Sequence, residues 1–300
     1  MFSRLFLSLI LGTFALVVGM ADCCRGQTAA PETAKVVEDV KQAGAIVKLD
    51  GQGGVVGVDF SQAPPGKFDW QRLSVFVGLK SLKLSRQPVG DVDIAVFQAF
   101  SKLKSLGLDE TKVTDAGLAA IEKLESIEEL LLANTQIGDA GIEHVVRLPR
   151  LRKLRLSGSR ITDEALSRLK GVSSLQDLDL SKTSIGDAGL SHLASMPHLT
   201  NLNLWTTHVT DTGLDSLKAM TGLTWLNLDN TPITDAGVAT LKPLTGLVFL
   251  HLGRTQLTDA GLEHLTGLIH LEKLHVTRTK VTEAGVERLR QALPKCKIEH

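Results

Sequence analysis

Leu247 opens a run in which apolar residues follow at Leu250, Leu252, Leu257, Leu262, Leu265 and Leu268, and Leu271 opens the same run again 24 residues later. Stepping back by that interval gives Leu223, Leu199, Leu175, Leu151, Ile127, Leu103 and Leu79, each heading a similar triplet, and one further step reaches Val55. Ten units of 24 residues therefore occupy positions 55–294 with nothing inserted or deleted. A fixed period of this length overrides any argument about domain number from chain length, because each unit can bury its apolar face only against its neighbours.

Within a unit the first three apolar positions alternate with polar ones, the period of a strand, whereas Leu262, Leu265 and Leu268 recur every third residue as one face of a helix does. The expected unit is strand, turn, helix. Between the two lies a five-residue phrase written as LTDAG at 257–261, ITDAG at 233–237, VTDAG at 113–117, IGDAG at 137–141 and 185–189, and VTEAG at 281–285. Either Thr258 or Asp259 can accept from the unpaired N–H groups of the helix start, and an acid there also suits the helix dipole. Glu283 after Thr282 favours the Thr as cap, and Gly138 and Gly186 before their Asp favour the acid, so both assignments stand at this level. Gly261 and its equivalents allow a close approach of neighbouring backbones, with Ala165 showing that a small residue suffices. A column of hydroxyls, Thr111, Thr135, Ser159, Thr183, Thr207, Thr231, Thr255 and Thr279, is placed to satisfy backbone groups where each strand ends.

The pattern L-x-x-L-x-L-x-x-T-x-I-T-D-x-G-L-x-x-L resembles a leucine-rich repeat, closest to the cysteine-containing subclass found behind F-box domains, with Thr where that subclass carries Cys or Asn. The resemblance covers about four-fifths of the chain. It implies an α/β fold, a right-handed horseshoe solenoid with a parallel sheet on its concave face, and a recognition module without catalysis of its own. No F-box-like segment precedes the repeats, so a ubiquitin-ligase adaptor role does not carry over.

The ends differ from the middle. Residues 1–26 read as a signal peptide and its cleavage region: Arg4 precedes an apolar run that ends in small residues. Cleavage falls after Ala21 or near Gly26, with retention as a membrane anchor as the alternative reading. Asp22 before Cys23 departs from a lipidation signal. Residues 27–54 form a linker and a cap, with a helix over PETAKVVEDVKQAG that turns Val36, Val37 and Val40 inward and stops at Gly44, then a hairpin around DGQGG. Residues 295–300 close the other end, where Ile298 takes a strand-Leu position and Cys296 is a cap residue. Three cysteines, two of them beside the leader, make no disulfide framework.

With 33 basic and 33 acidic side chains the net charge is zero, which gives no electrostatic case for a nucleic-acid partner. No phosphate loop or hydrolase constellation is evident, and no cofactor is implied. His251 and His275 share an outward strand offset in adjacent units, on the order of 5 Å apart, and Asp229 can join them. A metal wants three or four converging ligands, so these are read as ligand-facing histidines and not as a metal site.

Functional information is expected where the repeat does not repeat, at the outward strand positions. Two of the three Trp residues and Phe249 fall there, whereas Trp70, Phe97 and Phe100 sit at core offsets. The candidate ligand-binding set is Asn201, Asn203, Trp205, Trp225, Asn227, Asp229, Phe249, His251, Arg254 and His275, aromatic anchors in a polar rim. The expected partner is a protein or peptide bound outside the cytoplasm, with a glycan as a second class and a purely structural envelope role as a third. If the leader is removed, mass spectrometry of the exported protein should find an N-terminus between residues 22 and 27; an intact Met1 in the membrane fraction would replace cleavage by anchoring.

Overall fold

A computed structural model describes residues 31–300, and the leader lies outside the described residues. Helix α1 (Pro31–Gln42) buries Val36 and Val40, while Val37 is only half-buried, and the chain leaves it through Gly44 at φ 87°. Strand β1 (Ile46–Leu49) then pairs antiparallel with β2 (Val55–Asp59). Ten parallel three-residue strands follow: β3 (Ser81–Lys83), β4 (Ser105–Gly107), β5 (Glu129–Leu131), β6 (Lys153–Arg155), β7 (Asp177–Asp179), β8 (Asn201–Asn203), β9 (Trp225–Asn227), β10 (Phe249–His251), β11 (Lys273–His275) and β12 (Lys297–Glu299). The twelve strands form one sheet in chain order, and from β2 onward every residue pairs with the one 24 positions later. The register equals the sequence period, so each column of the alignment is a row of side chains across the sheet.

The central residue of each repeat strand, from Leu82 to Leu274, is fully buried, and so is the apolar residue two positions on. These rows face the helical side, where Leu190, Leu193, Leu214 and Leu217 close the core. The helices are shorter than the period-three pattern suggests. Asp163–Leu169 and Asp187–Leu193 are seven residues long, whereas Asp211–Leu214 passes at once into a 3₁₀ turn over Asp215–Ala219. A 24-residue circuit leaves little length for the return, and the tighter 3₁₀ winding spends its residues on rise. At the N-terminal end Trp70 packs edge-on to Phe60 at 5.1 Å, and Phe97 stacks near Phe100 at 6.1 Å.

The repeated phrase divides its work between two residues. Thr162, Thr210, Thr234, Thr258 and Thr282 are the helix caps, their hydroxyls accepting from backbone N–H groups two or three residues on at 3.2–3.4 Å. The acid that follows reaches instead into the next unit. Asp211 Oδ1 accepts from the Thr234 N–H at 2.8 Å, and its Oδ2 accepts from the Thr234 hydroxyl at 2.6 Å. Asp91, Asp139, Asp187, Asp235 and Asp259 repeat this double bond to Thr114, Thr162, Thr210, Thr258 and Thr282. Where Gly138 and Gly186 replace the Thr, their N–H groups still donate to Asp115 and Asp163 at 2.7 Å.

This bridge also bears on the glycine column, although Ala165 stands at the same position beside Asp139, which makes the same pair of bonds to Thr162, so one Cβ can be accommodated there. A Cβ on Gly117, Gly141, Gly189, Gly213, Gly237, Gly261 or Gly285 would lie well inside van der Waals contact with the Asp Oδ1 of the preceding unit. The same position one unit before Gly117 is Asp93, and the residue 26 positions before that is Lys67, so no carboxylate presses on it. The hydroxyl column acts within each unit: Thr111, Thr135, Ser159, Thr183, Thr207, Thr231, Thr255 and Thr279 each donate to the carbonyl three residues earlier, at 2.5–2.8 Å.

Gly237→Ala should destabilise the wild type by about 1 kcal/mol, the low end for overpacking, since Ala165 is carried beside the equivalent Asp139. In an Asp211→Ala background the same change should be near neutral or favourable, since Ala is the better helix residue by about 1 kcal/mol. Chemical denaturation of the four proteins measures the coupling; additive effects would remove the bridge as the cause of the glycine.

Candidate functional site

The concave face carries the outward residues of each strand, and its rows change character along the solenoid. Over β5–β7 they are charged and paired with one another. Lys153 Nζ lies 3.6 Å from Glu129 and 3.4 Å from Asp177, and Arg155 reaches Asp109 at 3.1 Å and Asp179 at 3.7 Å. A shallow groove runs from these side chains past Asn201 and Asn203 to Trp225. Its charged wall was absent from the candidate set, although Lys153, Arg155, Asp177 and Asp179 stand at the same offsets as the residues that were chosen.

Beyond the groove, parallel pairing sets Trp225 beside Phe249, and the two rings stack with centroids 4.8 Å apart and planes 5° from parallel. Both are half-buried. Phe249 also meets the His275 ring at 5.4 Å, and His275 lies edge-on to His251 at 4.7 Å. Aromatic contact of this kind contributes roughly 0.5–1.5 kcal/mol beyond area burial. Trp205 does not join the stack. It follows the end of β8, where Lys182 Nζ sits 4.5 Å from its ring centroid and the Arg254 guanidinium 5.9 Å away.

Asp229 corrects the reading of the third outward column. It is 4% exposed, with Arg254 Nε donating to its Oδ1 at 2.9 Å and the guanidinium also bonded to Oδ2. Strand β9 ends at Asn227, and Asp229, two positions on, is covered by Arg254 with His251 Nδ1 3.8 Å away, so it is buried within the concave face and not free for a ligand. At the same offset Ala133, Ser181 and Gly253 are buried, whereas Ser157, Trp205 and Thr277 are half-buried. One position later the backbone enters the left-handed region in Arg86, Glu110, Asn134, Lys182, Thr206, Asn230, Arg254 and Arg278, φ between 53° and 66°, with glycine only at Gly158. The side chains of this row, Arg254 among them, mark the rim of the concave face.

The second outward column shows how its polar groups are oriented. Asn227 Oδ1 accepts from the Asp229 N–H at 2.9 Å, so the ring nitrogen of His251 3.1 Å from the same oxygen must carry the proton. Nδ1–H donates and Nε2 is left as an acceptor. His275 Nδ1 lies 2.9 Å from Glu299, which also binds Lys273 and Lys297. Both histidine pKa values lie below the ordinary range. Burial is the main cause for each; for His251, Asp229 opposes it while His275 and Arg254 reinforce it, and for His275, Glu299 opposes and Lys273 and Lys297 reinforce. Among the described residues no group of three or more His, Cys, Asp or Glu is arranged to hold a metal ion. At the C-terminal cap, burial pushes the Cys296 thiol up to about 11.

The family described as Leucine Rich repeat matches residues 173–194. The ectodomain of the Arabidopsis receptor kinase HAESA, solved with an IDA peptide hormone, is 17% identical with a TM-score of 0.62, covering 84% of this chain and 46% of that one. A TDR receptor is 15% identical with a TM-score of 0.58, covering 91% and 46%. An internalin from Listeria monocytogenes is 18% identical with a TM-score of 0.49, covering 90% and 94%. The chain thus spans less than half of the receptor chains it resembles. No curated protein sequence matches it. The fold is that of a leucine-rich-repeat solenoid. No helix among the described residues is long and apolar enough to cross a membrane.

The depressed histidines fix the sign of a pH effect. Between their folded values and the unfolded value near 6.5, the unfolded chain binds more protons, so stability falls as pH falls through that window. Denaturation midpoints should decline from about pH 7 to 5.5, and the His251→Asn/His275→Asn double variant should flatten that slope; an unchanged slope would place its origin elsewhere.

Proposed function

We propose that the protein is an exported recognition module without catalysis of its own, binding a protein or peptide partner on the concave face over β8–β11. The observation that carries this reading is the Trp225–Phe249 stack, an aromatic pair held half-exposed on a face where the fold needs no apolar side chain. Asn201, Asn203, Asn227, His251 and His275 border it, which is the composition of an interface anchor inside a polar rim. That a receptor ectodomain of similar fold was solved with a peptide hormone supports the choice of partner class. The repeat pattern as a whole supports placing the units near the cysteine-containing subclass, with Thr in place of its Cys or Asn as the departure.

Adjacent residues on one strand give the test. Trp225→Ala should cost about 0.5–1.5 kcal/mol, the scale of one aromatic contact. Leu226→Ala, fully buried, should cost roughly 2–5 kcal/mol. Partners captured by the wild type from the envelope fraction should bind Trp225→Ala with about 2 kcal/mol less free energy. Partners held equally well by a folded Trp225→Ala protein would remove this surface as the site, and capture of glycans alone would replace the partner class.

A further inference from the structure

The Asn side chains beside the aromatic stack are oriented by the fold, and their orientation names the chemistry of a ligand. Asn203 Oδ1 accepts from the Trp205 N–H at 3.1 Å, and Asn227 Oδ1 accepts from the Asp229 N–H and from His251 Nδ1. With each amide oxygen bonded inward, the Nδ2 group is left pointing away from the strand exit. Neither Nδ2 makes a hydrogen bond among the described residues. The two residues are register partners on β8 and β9, so their donors stand about one strand spacing apart, roughly 5 Å. In the same row Asp179 uses Oδ1 in the same way, accepting from the Ser181 N–H at 3.0 Å and from its hydroxyl at 2.7 Å.

The charges nearest this row are occupied. Lys153 and Arg155 are bonded among Glu129, Asp177, Asp109 and Asp179, and Arg254 is bonded to Asp229, so a charged ligand group would have to compete with an existing pair. The two histidines are held neutral near pH 7 by burial. What the surface offers is amide N–H donors beside an apolar aromatic edge, with the Lys182 ammonium held over the Trp205 ring at its rim. A peptide main chain supplies the matching groups: carbonyl oxygens as acceptors, with side chains alternating to either side.

Resting on the reading of this face as a peptide-binding surface, we infer that Asn203 and Asn227 are its specificity-determining donors, binding the main-chain carbonyls of an extended, uncharged peptide segment whose apolar side chain lies against Trp225 and Phe249. Selection by the amides is for backbone and not for a terminal charge.

The fold supplies its own control, because Asp179 shows that a carboxylate at this offset makes the same turn. Asn203→Asp and Asn227→Asp should therefore keep the strand exit while removing the Nδ2 donor and turning a repelling oxygen toward a ligand carbonyl. The probe is a displayed library of random twelve-residue linear peptides panned on the purified protein at pH 7.5. Enriched peptides should carry an apolar or aromatic residue within an uncharged core. Their affinity should fall at least tenfold on either Asn→Asp change and on Trp225→Ala, with denaturation midpoints of the Asp variants near that of the wild type. Replacing one core amide of such a peptide by an ester, a weaker carbonyl acceptor, should weaken binding to the wild type more than to Asn203→Asp. Peptides that lose affinity on Trp225→Ala yet bind both Asp variants within twofold would overturn the donor assignment and leave the peptide-binding reading standing. Enrichment of peptides with a charged core that ignore the Asn changes would do the same. No enrichment, or binders indifferent to Trp225 as well, would overturn both.

Discussion

The carboxylate that crosses from each unit to the next is the interaction on which the rest of the geometry rests. Its two oxygens hold the N–H and the hydroxyl of one Thr, the residue that caps the following unit's helix. The bond therefore fixes where that helix begins relative to its neighbour. Hydrogen bonds between strands alone leave a parallel sheet free to slip by two residues without turning any side chain over. A bridge recurring every 24 residues on the opposite side of the unit removes that freedom, and the sheet register from β2 to β12 is constant. Small residues at the end of the repeated phrase, glycine in most units and Ala165 in one, leave room for the carboxylate.

Period was enough to read the architecture, because apolar alternation and a spacing of three are statements about which atoms leave water. Trp70, Phe97 and Phe100 were legible as core on the same ground. The role of the repeated Asp was not: its partner lies 23 residues away, and a local reading offers only the helix N-terminus beside it. Asp93 at the glycine position was the available clue, a residue that could be large because Lys67 stands where a carboxylate would otherwise press. The outward columns were legible as far as the strand lasts. Asn201, Asn203, Trp225, Asn227, Phe249, His251 and His275 are on the wall, whereas Asp229, two positions past the end of its strand, is buried under Arg254.

The concave face is consequently not one surface. Its first part neutralises itself through ion pairs that share solvent and contribute little to stability individually. Its second part has aromatic edges, oriented amides and neutral imidazoles. A partner spanning both would meet a boundary near Asn201, where charge gives way to amide.

Each carboxylate serves only the unit after it, and this gives the solenoid a polarity like that of a filament. A unit docking on the C-terminal side meets an acceptor already in place, whereas one docking on the N-terminal side must bring its own. Glu283, where the series of aspartates gives out, turns to Arg290 and His300 instead of reaching forward. A unit inserted after any Asp-bearing one therefore finds its contact ready-made, whereas one added after the unit of Glu283 does not, so the array lengthens more readily from within than at its C-terminal end.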